Sequence, residues 1–482
     1  MSKKEKLELM ENQILDIISK MTVDEKIGLI HGAGLFRTEG VPRLGIPPVR
    51  FSDGPMGVRQ EMKNDRWRAA YGLDDMVTYL PSNSAIAVTW NPKLAKKCGK
   101  VLGEEARGRG KDVILAPGIN IKRTPLCGRN FEYMSEDPYL VSEMTVPLIE
   151  GIQNNDVAAC VKHFAANGQE TNRLWVDTIV DERTLNEIYF PGFDAAINRA
   201  HSYSVMGAYN LLNGQHCCES KELLGNQLRG KWKYDGMIVS DWSGVHNTKA
   251  AAESALDIEM AVTRNFDEYF MAKPLKKEIE EGRISEAHVD EKVRNILRMM
   301  FRLKMLGEGR LKRKKGTYHS ISHIKAAKKA ARESVILLKN EDNLLPLKKS
   351  DKVAVIGYNA ECVHSNGGGS AEIKAIYEVT PLLAMRNALG GNTEVVYEPG
   401  YYVPKRKTKQ SESWQETSLD DIVNANIDIN AATLTEKELK KVERYREKAV
   451  ALAKKNEQVG IFAGLNHDYD MDGLDKTTIK LP

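Results

Sequence analysis

Short apolar runs, each closed off by glycine or polar residues, recur along the first half of the chain. Met237-Ile-Val239 sits inside Gly236-Met-Ile-Val-Ser-Asp-Trp-Ser-Gly244, and similar runs occupy Pro47–Asp53, Asp112–Pro117, Val157–Val161 and Ser204–Asn210. Runs of this length with such boundaries predict buried strands. Helical segments alternate with them. One opens at the capping box Thr22-x-x-Glu25 and runs through Lys26–His31, one covers Pro92–Gly108, and one is signalled by Thr184-x-x-Glu187. Strand, polar exit and helix repeat at intervals of roughly 30–60 residues, the rhythm of a parallel α/β barrel. A TIM-like (β/α) barrel is therefore expected over residues 1–306.

Past Gly307 the pattern changes. Gly307-Glu-Gly-Arg-Leu-Lys-Arg-Lys-Lys-Gly316 is basic and bounded by glycine, and it predicts a solvated linker over 307–322. A helix is expected over Ile324–Leu338, a strand over Lys352–Gly357 and another over Thr393–Glu398. Thr435-x-x-Glu438 then caps a helix over Glu436–Asn456, and Gln458–Gly464 reads as the next strand. This is a second α/β unit, over 323–482. Its first strand ends in Ile-Gly, but no Gly-x-Gly-x-x-Gly follows, so a dinucleotide fold is disfavoured.

Composition narrows the class. A chain of 482 residues exceeds what one core usually holds, and 42% hydrophobic with 28% charged residues describes an ordinary globular protein. A net charge of +4 gives no reason to expect nucleic acid as a partner. No run reaches the roughly 18–20 apolar residues of a membrane span, and the charged N-terminus lacks the apolar core of a secretory signal. The six cysteines (Cys98, Cys127, Cys160, Cys217, Cys218 and Cys362) form no Cys-x-x-Cys pair, so free thiols and a cytoplasmic setting are expected. A homodimer is compatible with the sequence, which does not itself set the oligomeric state.

The candidate chemistry lies where the strands end. Asp241 and Trp242 follow the 237–239 run. A carboxylate beside an indole suits a sugar, the acid addressing the anomeric carbon and the ring its C–H face; a helix N-cap followed by a core tryptophan is the alternative. Asp53 precedes the turn Gly54-Pro55 and either accepts sugar hydroxyls or holds its own loop. Arg129 lies in the long polar loop 118–138, with Glu132, Glu136 and Asp137 available to orient it. Lys162-His163 ends the 157–161 run, where the two side chains can converge, and Tyr209 leaves the 204–210 run. None of these exits forms a metal constellation, and no phosphate-cradling loop is present, so no cofactor is implied.

Six stretches together resemble the β-glucosidase branch of glycoside hydrolase family 3. They are Phe51-Ser-Asp-Gly-Pro55, Cys127–Tyr133 with Ser135–Pro138, Lys162-His-Phe164, Val180–Thr184, Met206–Asn210 and Val239–Trp242, in the family's order. The resemblance implies a retaining glycosidase with Asp241 as nucleophile. It also implies that Asp53, Arg129, Lys162 and His163 hold the terminal sugar, that Met206, Tyr209 and Trp242 line the subsite, and that Ser370 approaches from the second domain. The family's N-acetylglucosaminidase branch carries a histidine loop where Ala165-Ala-Asn-Gly168 stands here, which disfavours that branch.

The family's general acid is a glutamate before Gly-x-Asp-Arg. Asp472 occupies that position, one methylene shorter, and Lys476 replaces the arginine; Asp470 is the neighbouring alternative. Relative to the family the chain stops early, at Pro482, so an incomplete second sheet is expected. The implied substrate is a small β-glucoside, with β-xylosides and α-arabinosides left open. The competing expectations are a weakened or inactive sugar-binding homologue and a phosphorylase on the same barrel.

Overall fold

A computed structural model describes residues 2–59, 76–347, 352–364, 369–371, 373–403, 435–466 and 472–480. The first helix, Lys3–Ser19, starts at a reciprocal capping box between Ser2 and Glu5. The second, Val23–Ile30, starts at the box between Thr22 and Glu25. Five short strands then pair in parallel in the order Phe51–Ser52, Val113–Ile114, Ala158–Phe164, Ser204–Gly207 and Met237–Val239. Nearly every residue in them is buried, as strands covered on both faces require.

The wall continues without further regular βα units. Ile258 bridges Val239 and Glu259 bridges His31, both in parallel. The chain after His31 forms an antiparallel hairpin, Gly32–Gly34 with Arg37–Thr38. Arg37 then bridges Arg50 antiparallel, and Phe51 N–H donates to Phe36 at 2.9 Å. The sheet thus returns to its own first strand through a hairpin.

Helices pack around this wall. Pro92–Gly108 and Pro138–Gln153 have proline in their first turns and are capped by Asn91 and Asp137. They cross closely at Gly99 and Gly151, where a Cβ on either would run into the other helix's backbone carbonyl (Leu148 and Lys96 respectively). The helix signalled by Thr184 instead starts at Asp181, whose carboxylate accepts from the Thr184 N–H at 3.0 Å and places Thr184 inside the first turn.

Behind the strands lies a buried polar cluster. Asp257 accepts from Arg229 at 2.6 Å, from the Ile238 N–H at 2.6 Å and from Asn295 at 2.9 Å. Lys292 donates to the carbonyls of Ala251, Ser254 and Leu256. Removing one partner of such a network leaves uncompensated buried charge. Asp257→Ala is expected to cost about 3–5 kcal/mol of unfolding free energy, read as a lowered denaturant midpoint.

The basic run is largely exposed over 307–316, and it is pinned to the barrel at a few points. Arg313 donates to the Asp112 carboxylate at 2.8 Å, the Lys314 N–H to the Asp156 carboxylate at 2.8 Å and the Thr317 N–H to the Glu104 backbone carbonyl at 3.0 Å. Of these, only the Arg313–Asp112 contact pairs a cation of the run with an acid; the other two bonds use backbone N–H groups. The following helix, Ile321–Glu333, is capped by Ser320 and ends before Val335, short of the expected Leu338. His323 ties it to the barrel, with one ring nitrogen 2.9 Å from Glu105 and the other 2.9 Å from Glu104.

Beyond it, Lys352–Ile356 lies between Glu394–Glu398 and Val459–Ile461, all parallel. Pro381–Leu389 and Glu436–Lys454 accompany them, the latter behind the expected Thr435 box. The chain is therefore an α/β protein with a barrel unit followed by a second α/β unit. Among the described residues no helix is long and apolar enough to cross a membrane.

Candidate active site

Asp241 emerges two residues beyond the Met237–Val239 strand, buried at 6% exposure. One carboxylate oxygen, Oδ1, accepts the Trp242 N–H at 2.9 Å. The other, Oδ2, has no hydrogen-bond partner among the described residues and lies 3.6 Å from Nε2 of His163, which has none among them either. Buried polar atoms are normally paired, so two orphans facing one another mark a place built for something else. Burial raises the Asp241 carboxyl above its ordinary range, against the pull of Arg129, Arg173 and Lys162. Burial, then the charges of Arg129, Lys162 and Arg173, push His163 well below its usual value, so its ring is neutral.

His163 is held on its other sides. Asn120 accepts its backbone N–H at 2.6 Å and donates to its carbonyl at 2.8 Å, while the Tyr133 hydroxyl lies 3.1 Å from Nδ1. The strand carrying it runs to Phe164, further than expected, and its ladder slips between Val161 and Phe164. Lys162 and His163 consequently both reach the site: Lys162 lies 3.8 Å from Asp53 and 4.0 Å from Glu132. Arg59 meets the other Asp53 oxygen at 3.3 Å, and Glu132 pairs closely with Arg129. A chain of alternating charge, Arg59–Asp53–Lys162–Glu132–Arg129, therefore lines the floor. Every member is at most 5% exposed. Such desolvated charge is costly and buys fixed geometry.

The second domain supplies the roof. Arg129 donates to Ser370 at 3.4 Å, and the Ser370 hydroxyl and N–H donate to Asp472 at 2.6 and 3.1 Å. Arg173 forms a close ion pair with Asp472, a 2.7 Å pair with Glu170, and lies 4.4 Å over the Tyr209 ring. Burial alone would raise Asp472; the charges of Arg129 and Arg173 and the bonds from Ser370 prevail and hold it well below the usual carboxylate range. Glu170 goes the other way, pushed up to about 7 by burial against Arg173 and Arg129.

The ten residues with a catalytic or sugar-binding role expected from the sequence fall in this region or directly behind it. Asp53, Arg129, Lys162, His163, Tyr209, Asp241, Ser370 and Asp472 form one continuous set of contacts. Met206 is buried in register with Val239, in the wall just below Asp241. Trp242 packs against Phe36 and Phe51, with its indole N–H donated to Leu35 at 2.8 Å, so much of the ring serves the core. Asp470 lies outside the described residues. Arg59, Asn120, Tyr133, Glu170 and Arg173 also belong to the site, although the strand-exit pattern in the sequence marks none of them for a role there. The Glu170-x-x-Arg173 spacing was the available signal for that pair.

A second buried acid makes a pH prediction. Burial pushes Glu259 up to about 8, eased by the N–H groups of Met271 and Phe270. Its folded pKa is raised, so its contribution to stability is complete below about 4.5 and is lost as pH rises through 8. Between pH 6.5 and 8 the stability gap between Glu259→Gln and wild type is expected to shift towards the variant, read from paired denaturant melts.

Two family models cover most of the chain: the glycosyl hydrolase family 3 N terminal domain matches residues 52–299 and the C-terminal domain residues 335–482. A β-glucosidase of Bacteroides ovatus is 38% identical across 98% of this chain and 62% of its own length. Thermostable β-glucosidase B of Acetivibrio thermocellus is 37% identical across 97% and 56%. Among solved structures, β-glucosidase 3B from Thermotoga neapolitana in complex with glucose superposes with a TM-score of 0.76 at 32% identity, over 97% of this chain and 64% of that one. The chain thus spans less than two thirds of the length of these relatives. With both models matched in order and the solved relatives sharing its fold, the chain belongs to glycoside hydrolase family 3.

Proposed function

We propose that this chain is a retaining β-glycosidase that removes terminal, non-reducing β-D-glucosyl residues from small β-glucosides. The observation carrying this reading is the unpartnered Oδ2 of Asp241, buried at a barrel strand's end among groups suited to sugar hydroxyls. Asp241 would attack the anomeric carbon, forming a glycosyl ester as the bond to the leaving oxygen breaks. Asp53 and Glu132 accept hydrogen bonds from sugar hydroxyls, while Lys162 and Arg129 donate to them. Their bonds strengthen as charge develops at the ring. Asp472 is the acid by position, protonating the leaving oxygen and then taking a proton from the water that frees the sugar. Glucose-bound relatives support the sugar class. All six cysteines are unpaired, which supports a cytoplasmic setting.

A second reading has its own observation. Asp472 sits as a carboxylate between two arginines, an arrangement that withholds the proton a general acid must give. On that reading the chain binds sugars and cleaves only glycosides that need no protonation. Hydrolysis of 2,4-dinitrophenyl β-glucoside and of cellobiose separates the two. Turnover of both supports the complete enzyme, and turnover of the first alone supports the weakened one. Cleavage of neither by folded protein overturns the glycosidase assignment.

A further inference from the structure

Asp472 hangs on a short stretch of the second domain, and that stretch touches the barrel through a residue the chemistry does not use. Asp475 lies three positions on. Its Oδ1 accepts the N–H of Gly128 at 3.0 Å and of Glu170 at 3.0 Å; its Oδ2 accepts the N–H of Glu170 at 3.0 Å and of Thr171 at 2.9 Å. No cation pairs with it among the described residues: its carboxylate is answered by backbone N–H groups, which form an anion-binding concavity. The donors come from two separate barrel loops, one carrying Arg129 and the other carrying Arg173.

The surrounding bonds run in the same direction. The Asp475 N–H donates to Thr171 Oγ1 at 3.4 Å, the Gly473 N–H to Glu170 at 2.9 Å and the Lys476 N–H to the Leu126 carbonyl at 2.8 Å. The stretch is thus stitched on both sides to the loops that hold the two arginines around Asp472.

We infer that Asp475 is a positioning residue: its carboxylate latches the acid-bearing loop of the second domain onto two barrel loops and so fixes how far Asp472 stands from the glycosidic oxygen. This rests on the glycosidase reading above. A side chain of another length cannot seat in three fixed N–H groups at once, and an amide presents N–H to N–H on one side. Displacing a catalytic group by about 1 Å can cost on the order of a hundredfold in rate.

The test is Asp475→Asn alongside Asp475→Ala, in the full chain. For cellobiose, whose leaving group needs protonation, kcat/KM is expected to fall roughly 100-fold, carried mainly by kcat. For 2,4-dinitrophenyl β-glucoside it is expected to stay within about 3-fold, because little protonation is needed. Amide hydrogen exchange at Gly128, Glu170 and Thr171 is expected to quicken while the barrel strands keep their protection. Equal losses on both substrates, or unchanged exchange at those amides, overturn the latch. If the wild type cleaves only the activated substrate or neither, the exchange measurement alone decides, so a failed glycosidase reading is told apart from a failed latch.

Discussion

Asp241→Gly is expected to lower kcat/KM for every β-glucoside by on the order of 10⁴–10⁶, the scale seen when a covalent nucleophile is removed. The effect falls on activated and unactivated substrates alike, since neither can form the glycosyl ester. Folding should survive, because the lost carboxyl is one that burial already strains. The truncation also opens the space occupied by Oδ2, the atom that lacks a partner. Sodium azide should then restore turnover of the dinitrophenyl glucoside and give the α-glucosyl azide by direct attack, a stereochemistry that the two-step route does not produce. Full retention of activity in the folded variant would remove Asp241 from the mechanism.

Asp472→Glu is the second large effect, and it runs upward. The aspartate is held as an anion by Arg129, Arg173 and Ser370, within a loop fixed at Gly473 and Asp475. A fixed loop cannot supply the missing methylene by moving. A glutamate at this position regains that reach, and a roughly 10- to 100-fold rise in kcat/KM for cellobiose is expected, with little change for the dinitrophenyl glucoside. The gain should be greatest at acidic pH, where the larger fraction of the acid carries its proton. An unchanged ratio between the two substrates would mean that Asp472 already reaches the leaving oxygen.

What the sequence disclosed follows a physical line. Helix Pro92–Gly108 was legible because an asparagine cap and a first-turn proline are local signals, and Met237–Val239 because a three-residue apolar run between polar neighbours has few other readings. The overshoot of Ile321–Glu333 has the opposite cause: Val335–Leu338 continues the apolar content without continuing the hydrogen bonding. At Thr184 two capping signals overlap, and the nearer acid, Asp181, prevails. The closing hairpin was hidden, since Gly32-Ala-Gly34 has no hydrophobic alternation and Glu259, which joins the wall at the neighbouring His31, lies far along the chain. In the site, residues at strand exits could be picked out. Arg59, Tyr133 and Glu170 could not, because a polar residue's burial is decided by distant chain.

The way the wall closes also sets a schedule for synthesis. Glu259 exchanges hydrogen bonds with Ile30 and Gly32 on either side of His31, both at 2.9 Å. Until Glu259 has left the ribosome, the edge at His31 has no partner, and about 230 further residues must be added after His31 is made. At roughly 5–20 residues per second the nascent chain carries that open edge for on the order of 10–45 s. The hairpin beside it is short and glycine-rich, and such an edge offers a poor template for a second nascent chain.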